Sequence, residues 1–325
     1  MLVLGANLAI DRTLRMEQLR PGHVQRPRSA QTSAGGKSVN VCRASAAHRV
    51  RPRLVANLPG VLGSYVGDLL AGEGHDVIRV ATAGEIRSAT IILEDDGRTT
   101  VLNEPGPDLS AADRAALLAA VRSCLGGTDV VVMSGSLPPG TTPDLYADVV
   151  TLARRHGQRT VVDAARDALA AVLAAGPDVV TPNLGEALEV LAIVTGSPAP
   201  AGESVEPDSD DVPRDAAAAA RALVAAGARA ALVTAGRYGV AGADADGSFW
   251  VQAPVVVEVN PIGAGDSFVA GLAAALEAGA GLREATLVAV ATGSASVATP
   301  VAGHVDEATM RSLLATLALS EQVPR

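Results

Sequence analysis

Apolar residues along this chain fall into two patterns: short unbroken runs, and longer segments where they return at helical spacing. Val130-Val131-Val132, Thr160-Val161-Val162 and Ala231-Leu232-Val233 are runs of the first kind. Strands that apolar on consecutive positions are buried on both faces, as in a parallel sheet. Leu2 to Leu4, Asp129 to Val132 and Asp178 to Val180 read as strands of the same layer. Alanine-rich segments of helical length separate them, and that alternation predicts a doubly wound α/β/α arrangement around a mostly parallel sheet. Phe268, Leu272 and Leu276 recur every fourth residue and predict an amphipathic helix that begins near Gly265 and packs one stripe inward. A hairpin is expected where Ser88 to Leu93 and Arg98 to Leu102 flank the turn Glu94 to Gly97, and its polar ends suit a lid that excludes water. We read a single domain over residues 1–325, with a small β lid drawn from about residues 10–30 and 85–104. Thr195 to Pro213, rich in Pro, Ser, Asp and Glu, lacks periodicity and is expected to form a mobile surface loop.

Composition narrows the partners. A chain of 325 residues can hold two average domains or one large one, and no boundary is marked. The formal net charge of −9 argues against a nucleic-acid partner, whose footprint is a basic patch. Cys42 and Cys124 form neither a disulfide framework nor a metal spacing, so both are expected to be reduced and structural. Met1 to Ile10 lacks the charged start of a signal peptide, and no apolar run reaches bilayer-spanning length; a cytoplasmic protein without a membrane partner is expected.

The chemistry concentrates in Asn260-Pro261-Ile262-Gly263-Ala264-Gly265-Asp266-Ser267-Phe268, a glycine-rich turn leading into a helix. The first N–H groups of a helix lack intrahelical partners and favour an anion, so the amides of Gly263, Ala264, Gly265 and Asp266 read as a cradle for a transferring phosphoryl group. Gly263 and Gly265 bring no Cβ to obstruct that approach. Asp266 then stands beside the phosphate, placed to accept a proton from an attacking hydroxyl. An ordinary first-turn aspartate is the structural alternative. Lys37 is the only lysine in a chain whose other cations are arginine, and a compact ammonium at a phosphate is not replaceable by a guanidinium. Gly36-Lys37-Ser38 imitates a Walker A ending, but that motif needs a glycine where Gln31 stands.

Taken in order, Ala34-Gly35-Gly36-Lys37-Ser38-Val39-Asn40, Asn103-Glu104-Pro105-Gly106, Met133 to Gly140, Thr181 to Glu186 and Gly263 to Ser267 resemble the signature set of the ribokinase-like, PfkB-type sugar kinases over nearly the whole chain. The resemblance implies a diglycine turn at Gly35 and Gly36 holding the sugar. Lys37, Asn40, Arg87, Asn103 and Ser136 fall around that sugar in the family's pattern, and Asp11, at a strand end, would grip two hydroxyls. It further implies that Asn183 and Glu186 organise Mg2+ through water, a role compatible with a helix capping box at the same residues. Thr234, Gly236, Gly239 and Gly265 would adjoin ATP. Lys37, Arg87 and Arg26 make the pocket cationic, and this resembles the 1-phosphofructokinase and tagatose-6-phosphate kinase branch. The activity implied is ATP-dependent phosphorylation of a phosphorylated ketohexose, fructose 1-phosphate to fructose 1,6-bisphosphate first. The 6-phosphofructokinase and tagatose-6-phosphate kinase reactions are alternatives; a kinase of free sugars or nucleosides and a non-catalytic sugar-phosphate sensor are more distant ones. Mg2+, K+ activation and a homodimer through the lid belong to the same implication. Leu8, Ser38, Thr181 and Pro261 depart from the pattern, and they bear on the sugar pocket and on the nucleotide and monovalent-cation region.

Overall fold

The computed structural model describes residues 1–197 and 211–321. In chain order its strands are β1 Leu2–Gly5, β2 Ala9–Met16, β3 Ser29–Gly35, β4 Arg53–Asn57, β5 Asp76–Val80, β6 Arg87–Glu94, β7 Thr99–Asn103, β8 Val130–Ser134, β9 Arg159–Asp163, β10 Val179–Val180, β11 Ala230–Thr234, β12 Gly239–Asp244, β13 Gly247–Gln252 and β14 Leu319–Ser320. The helices are α1 Lys37–Ser45, α2 Gly60–Gly72, α3 Ala111–Cys124, α4 Leu145–Arg155, α5 Arg166–Ala175, α6 Leu184–Thr195, α7 Val212–Ala225, α8 Ala264–Glu277, α9 Leu282–Val297 and α10 Glu307–Leu314.

Among the described residues, one sheet runs in the order β14-β13-β12-β11-β10-β9-β8-β1-β4-β5. It is parallel from β11 to β5, and β12, β13 and β14 extend it antiparallel. The pleat decides the packing: Leu2 and Leu4 face one core and Val3 the other, as do Val131 and Met133 against Val130 and Val132. Helices α3 to α7 close the first core; α1, α2, α8, α9 and α10 close the second. This is the three-layer arrangement that the apolar runs predict. A smaller sheet, β3-β2-β6-β7, pairs β2 with β6 in parallel and forms the expected β6–β7 hairpin.

Two expectations change. Helix α8 does not show one stripe to the core: every residue from Asp266 to Leu276 is buried. It lies between α1 and α9, and Gly271 permits the close approach, since a Cβ there would come within 2.4 Å of Thr292 Oγ1. Burying Phe268, Leu272 and Leu276 contributes about 1.5–3 kcal/mol each, and the alanines between them fill the remaining faces. The segment Thr195 to Pro213 is helical at both ends, Thr195 closing α6 and Pro213 sitting in the first turn of α7. Residues 198–210, the middle of the expected loop, lie outside the described residues.

Candidate active site

The carboxyl ends of β9, β10 and β11, the turn before α8 and the inner face of the small sheet enclose a cavity of about 380 Å3. Open α/β sheets bind ligands at that edge because helix N-termini and strand-end loops converge there. Asp266 lines it, although only 6% of the residue is exposed. Its Oδ2 accepts a hydrogen bond from Asn40 Nδ2 at 2.8 Å. Asn40 stands one turn along α1 from Lys37, so a single helix delivers both side chains to the cavity. Burial pushes the Asp266 carboxyl up to about 7; Lys37 and the Asn40 bond oppose the rise, and Asp163 and Glu186 add to it.

Gly263 makes the turn into α8 with φ 84°, in the left-handed region, and a Cβ there would lie 2.9 Å from the Gly303 nitrogen. Glycine alone meets both constraints. The amide cradle is narrower than the expected four groups. Ala264 N–H is spent on the Pro261 carbonyl at 3.3 Å, whereas those of Gly263, Gly265 and Asp266 have no backbone acceptor among the described residues.

Lys37 opens α1, and its ammonium lies 3.1 Å from Asp163 Oδ2 and 4.0 Å from Glu186 Oε1. Asp163, above all, holds the lysine well above its usual range. The expected lone phosphate cation is therefore already paired with acids. Asp163 is one residue that sequence reasoning missed. A carboxylate ending an otherwise apolar strand was its signal, visible in Thr160-Val161-Val162-Asp163.

On the lid side, Asp11 rises from β2 and packs against Gly35, where a Cβ would come within 1.9 Å of its Oδ1. Burial raises the Asp11 carboxyl to about 6 against the pull of Arg43 and Arg87. Gly36, at φ 112°, caps α1. Arg87 Nε donates to the Asn7 carbonyl at 3.1 Å, and Asn103 at the end of β7 lines the same cavity. Ser136 does not line it; it borders an adjoining cavity of about 540 Å3 that shares Lys37, Arg87 and Asn103. Asn7, a second residue missed, holds the Ser136 hydroxyl through a 3.1 Å bond from Nδ2.

Asn183 and Glu186 form a reciprocal capping box on α6, at 2.9 and 3.0 Å, and both line the cavity with Thr234. Gly236 is exposed in a short turn and Gly239 is buried; neither lines the cavity. A Cβ on Gly239 would meet the Val251 carbonyl at 2.2 Å, so this glycine serves the β12–β13 pairing rather than a ligand. Arg26 is exposed in the loop between β2 and β3 and is likewise outside the lining.

Asp11, Asp163, Glu186 and Asp266 face only Lys37 and Arg87 across the cavity. A polyphosphate entering it needs further positive charge. No group of three or more acid, His or Cys side chains among the described residues could hold an ion by itself. That donor set fits Mg2+, which keeps several waters and arrives with phosphate oxygens.

The profile of the pfkB family of carbohydrate kinases matches residues 1–308. The chain belongs to the pfkB family. It is a sugar kinase with a ribokinase-like α/β fold, and the expectations of enzyme and fold hold. This pfkB kinase is 28% identical over 277 residues to the tagatose-6-phosphate kinase of Staphylococcus epidermidis, which covers 85% of this chain and 84% of that one. It is also similar to phosphofructokinase-2 from Escherichia coli, solved in complex with potassium, with a TM-score of 0.85 and 26% identity over 97% of this chain and 98% of that one. A possible 1-phosphofructokinase from Thermotoga maritima shares the fold at a TM-score of 0.82 and 23% identity, over 98% of each chain. No helix among the described residues is long and apolar enough to cross a membrane.

Proposed function

We propose that this kinase transfers the γ-phosphoryl group of ATP to a primary hydroxyl of a phosphorylated ketohexose, with fructose 1-phosphate giving fructose 1,6-bisphosphate as the first reading. The observation that carries it is one cavity joining a buried carboxylate, Asp266, to free amides at the start of α8 and to the two cations Lys37 and Arg87. Asp266 takes the proton of the attacking hydroxyl, and Asn40 fixes its orientation. The free amides receive charge on the transferring group, in a site that the small sheet covers on one side. Asp11, Arg87 and Asn103 orient the sugar from the lid, and the Ser136 loop supports its far end. Asn183 and Glu186 would hold Mg2+ through water, and that ion, when bound, supplies charge neutralisation on the nucleotide phosphates. Potassium activation is proposed on the likeness to the potassium-bound phosphofructokinase-2, and a homodimer through the lid on the exposed Val24 and Leu102.

A second reading, transfer to a ketohexose 6-phosphate, is favoured by the tagatose-6-phosphate kinase relative and by the likeness to phosphofructokinase-2 solved with fructose 6-phosphate. A ketohexofuranose carries a CH2O group at each end, so one pocket can admit either orientation. Steady-state kinetics with fructose 1-phosphate, fructose 6-phosphate, tagatose 6-phosphate and the free sugars decide it. The largest kcat/KM on fructose 1-phosphate supports the first reading; a 6-phosphate in that place supports the second. Preference for a free sugar contradicts both.

A further inference from the structure

We propose that Asp163 is a positioning residue that anchors the Lys37 ammonium against the cavity wall. The inference rests on the phosphotransfer reading and extends it to a residue outside the signature motifs. Asp163 ends β9 with a side chain 8% exposed, and its Oδ2 receives two donors, Ser134 Oγ at 3.0 Å and Lys37 Nζ at 3.1 Å. The parallel register sets Ser134 beside Asp163, and Gly135 N–H bonds the Asp163 carbonyl at 3.0 Å, so the carboxylate is fixed by two strands. The Ser134 carbonyl in turn accepts from Ser38 Oγ at 2.7 Å, which ties the anchor to the first turn of α1, the helix that carries Lys37. The second acid, Glu186, is committed through Oε2 to the Asn183 amide and presents Oε1 to the lysine at 4.0 Å.

A lysine side chain has four rotatable bonds and, unanchored, scatters its charge over many positions. Held from behind by Asp163, the ammonium keeps one position and stays half open to the cavity, with 44% of the side chain exposed. A charge fixed before the substrate arrives costs no reorganisation when phosphoryl charge develops. Asp163 thus acts through Lys37; above about pH 8, where its smaller effect on the Asp266 carboxyl no longer changes that group's ionisation, its loss is felt only while Lys37 is present.

Two measurements test this on the full chain. Kinetics of Asp163→Asn, Lys37→Ala and the double variant give a coupling: Asp163→Asn should lower kcat roughly 30-fold with KM for ATP within about threefold, yet change kcat less than about threefold in the Lys37→Ala background. Losses that multiply, or an Asp163→Asn enzyme with full turnover, overturn the anchor. Because Lys37 is the only lysine, lysine-labelled protein gives a single side-chain signal by NMR without any substrate. That signal should stand apart from a solvated lysine in the native chain and move to the solvated position in Asp163→Asn; an unmoved signal overturns the proposal. Should Asp163→Asn fail to fold, Ser134→Ala removes one donor from the same oxygen and must give a smaller loss with the same dependence on Lys37; independence from Lys37 overturns the anchor. A moved lysine signal in a protein that phosphorylates no ketohexose phosphate supports the anchor and overturns only the substrate reading.

Discussion

At the scale of single residues, the site works by burying carboxylates and offsetting part of the cost with neighbours. Asp266 is held near 7 rather than its ordinary 3.8 because burial outweighs Lys37 and Asn40. A base must be ionised to accept a proton, so kcat/KM should rise with pH through about 7 and level above it, and a flat profile from pH 5 to 9 would contradict the assignment. Stability carries the opposite sign. A carboxyl raised in the folded state contributes most below its unfolded value of 3.8, and that contribution is lost as pH rises through about 7. Asp266→Asn should therefore gain a few kcal/mol relative to the native chain at pH 8 and almost none at pH 4, at ~1.4 kcal/mol for each tenfold change in acidity; thermal melts at the two pH values check it. Asp266 was legible because a glycine turn before a helix has a stated electrostatic use. Asp163 was not, because a single acid after Thr160-Val161-Val162 gains meaning only when folding brings Lys37 to it from a helix distant in the chain.

Among the elements, α8 is the one most displaced from its sequence reading. Apolar spacing located its start to within a residue, since Ala264 opens it, but alanines carry little weight in a periodic pattern and hid the burial of its other faces. The same tight packing makes Gly271→Val a sharp test. Its branched side chain meets Thr292 and Ala289, and overpacking of this kind costs about 1–3 kcal/mol, visible as a lower melting temperature with the melt still cooperative. An unchanged melt would show that α8 and α9 separate without cost. On α6, Asn183→Ala removes the side-chain acceptor of the capping box and should cost ~1 kcal/mol in a denaturant titration, apart from any effect on catalysis.

For the whole molecule, consecutive apolar residues gave the parallel layer directly, because only doubly covered strands tolerate them. The small sheet was legible as a hairpin but not in its pairing: β2 joins β6 in parallel across a long stretch of chain, a register set by tertiary packing. Val24 and Leu102 remain exposed on this lid. If the proposed lid dimer forms, Leu102→Asp should yield monomers in light scattering after gel filtration; a mass equal to that of the native chain would contradict the lid as its interface. The proposed role of Asp266, deprotonating the attacking hydroxyl while the amides of α8 hold the transferring phosphoryl group, can be read from single-turnover transfer of labelled γ-phosphoryl from ATP to a ketohexose phosphate, comparing the native chain with Asp266→Asn. The account predicts a transfer rate lower by roughly a thousandfold or more with nucleotide and sugar binding retained; equal rates in the two proteins would contradict it.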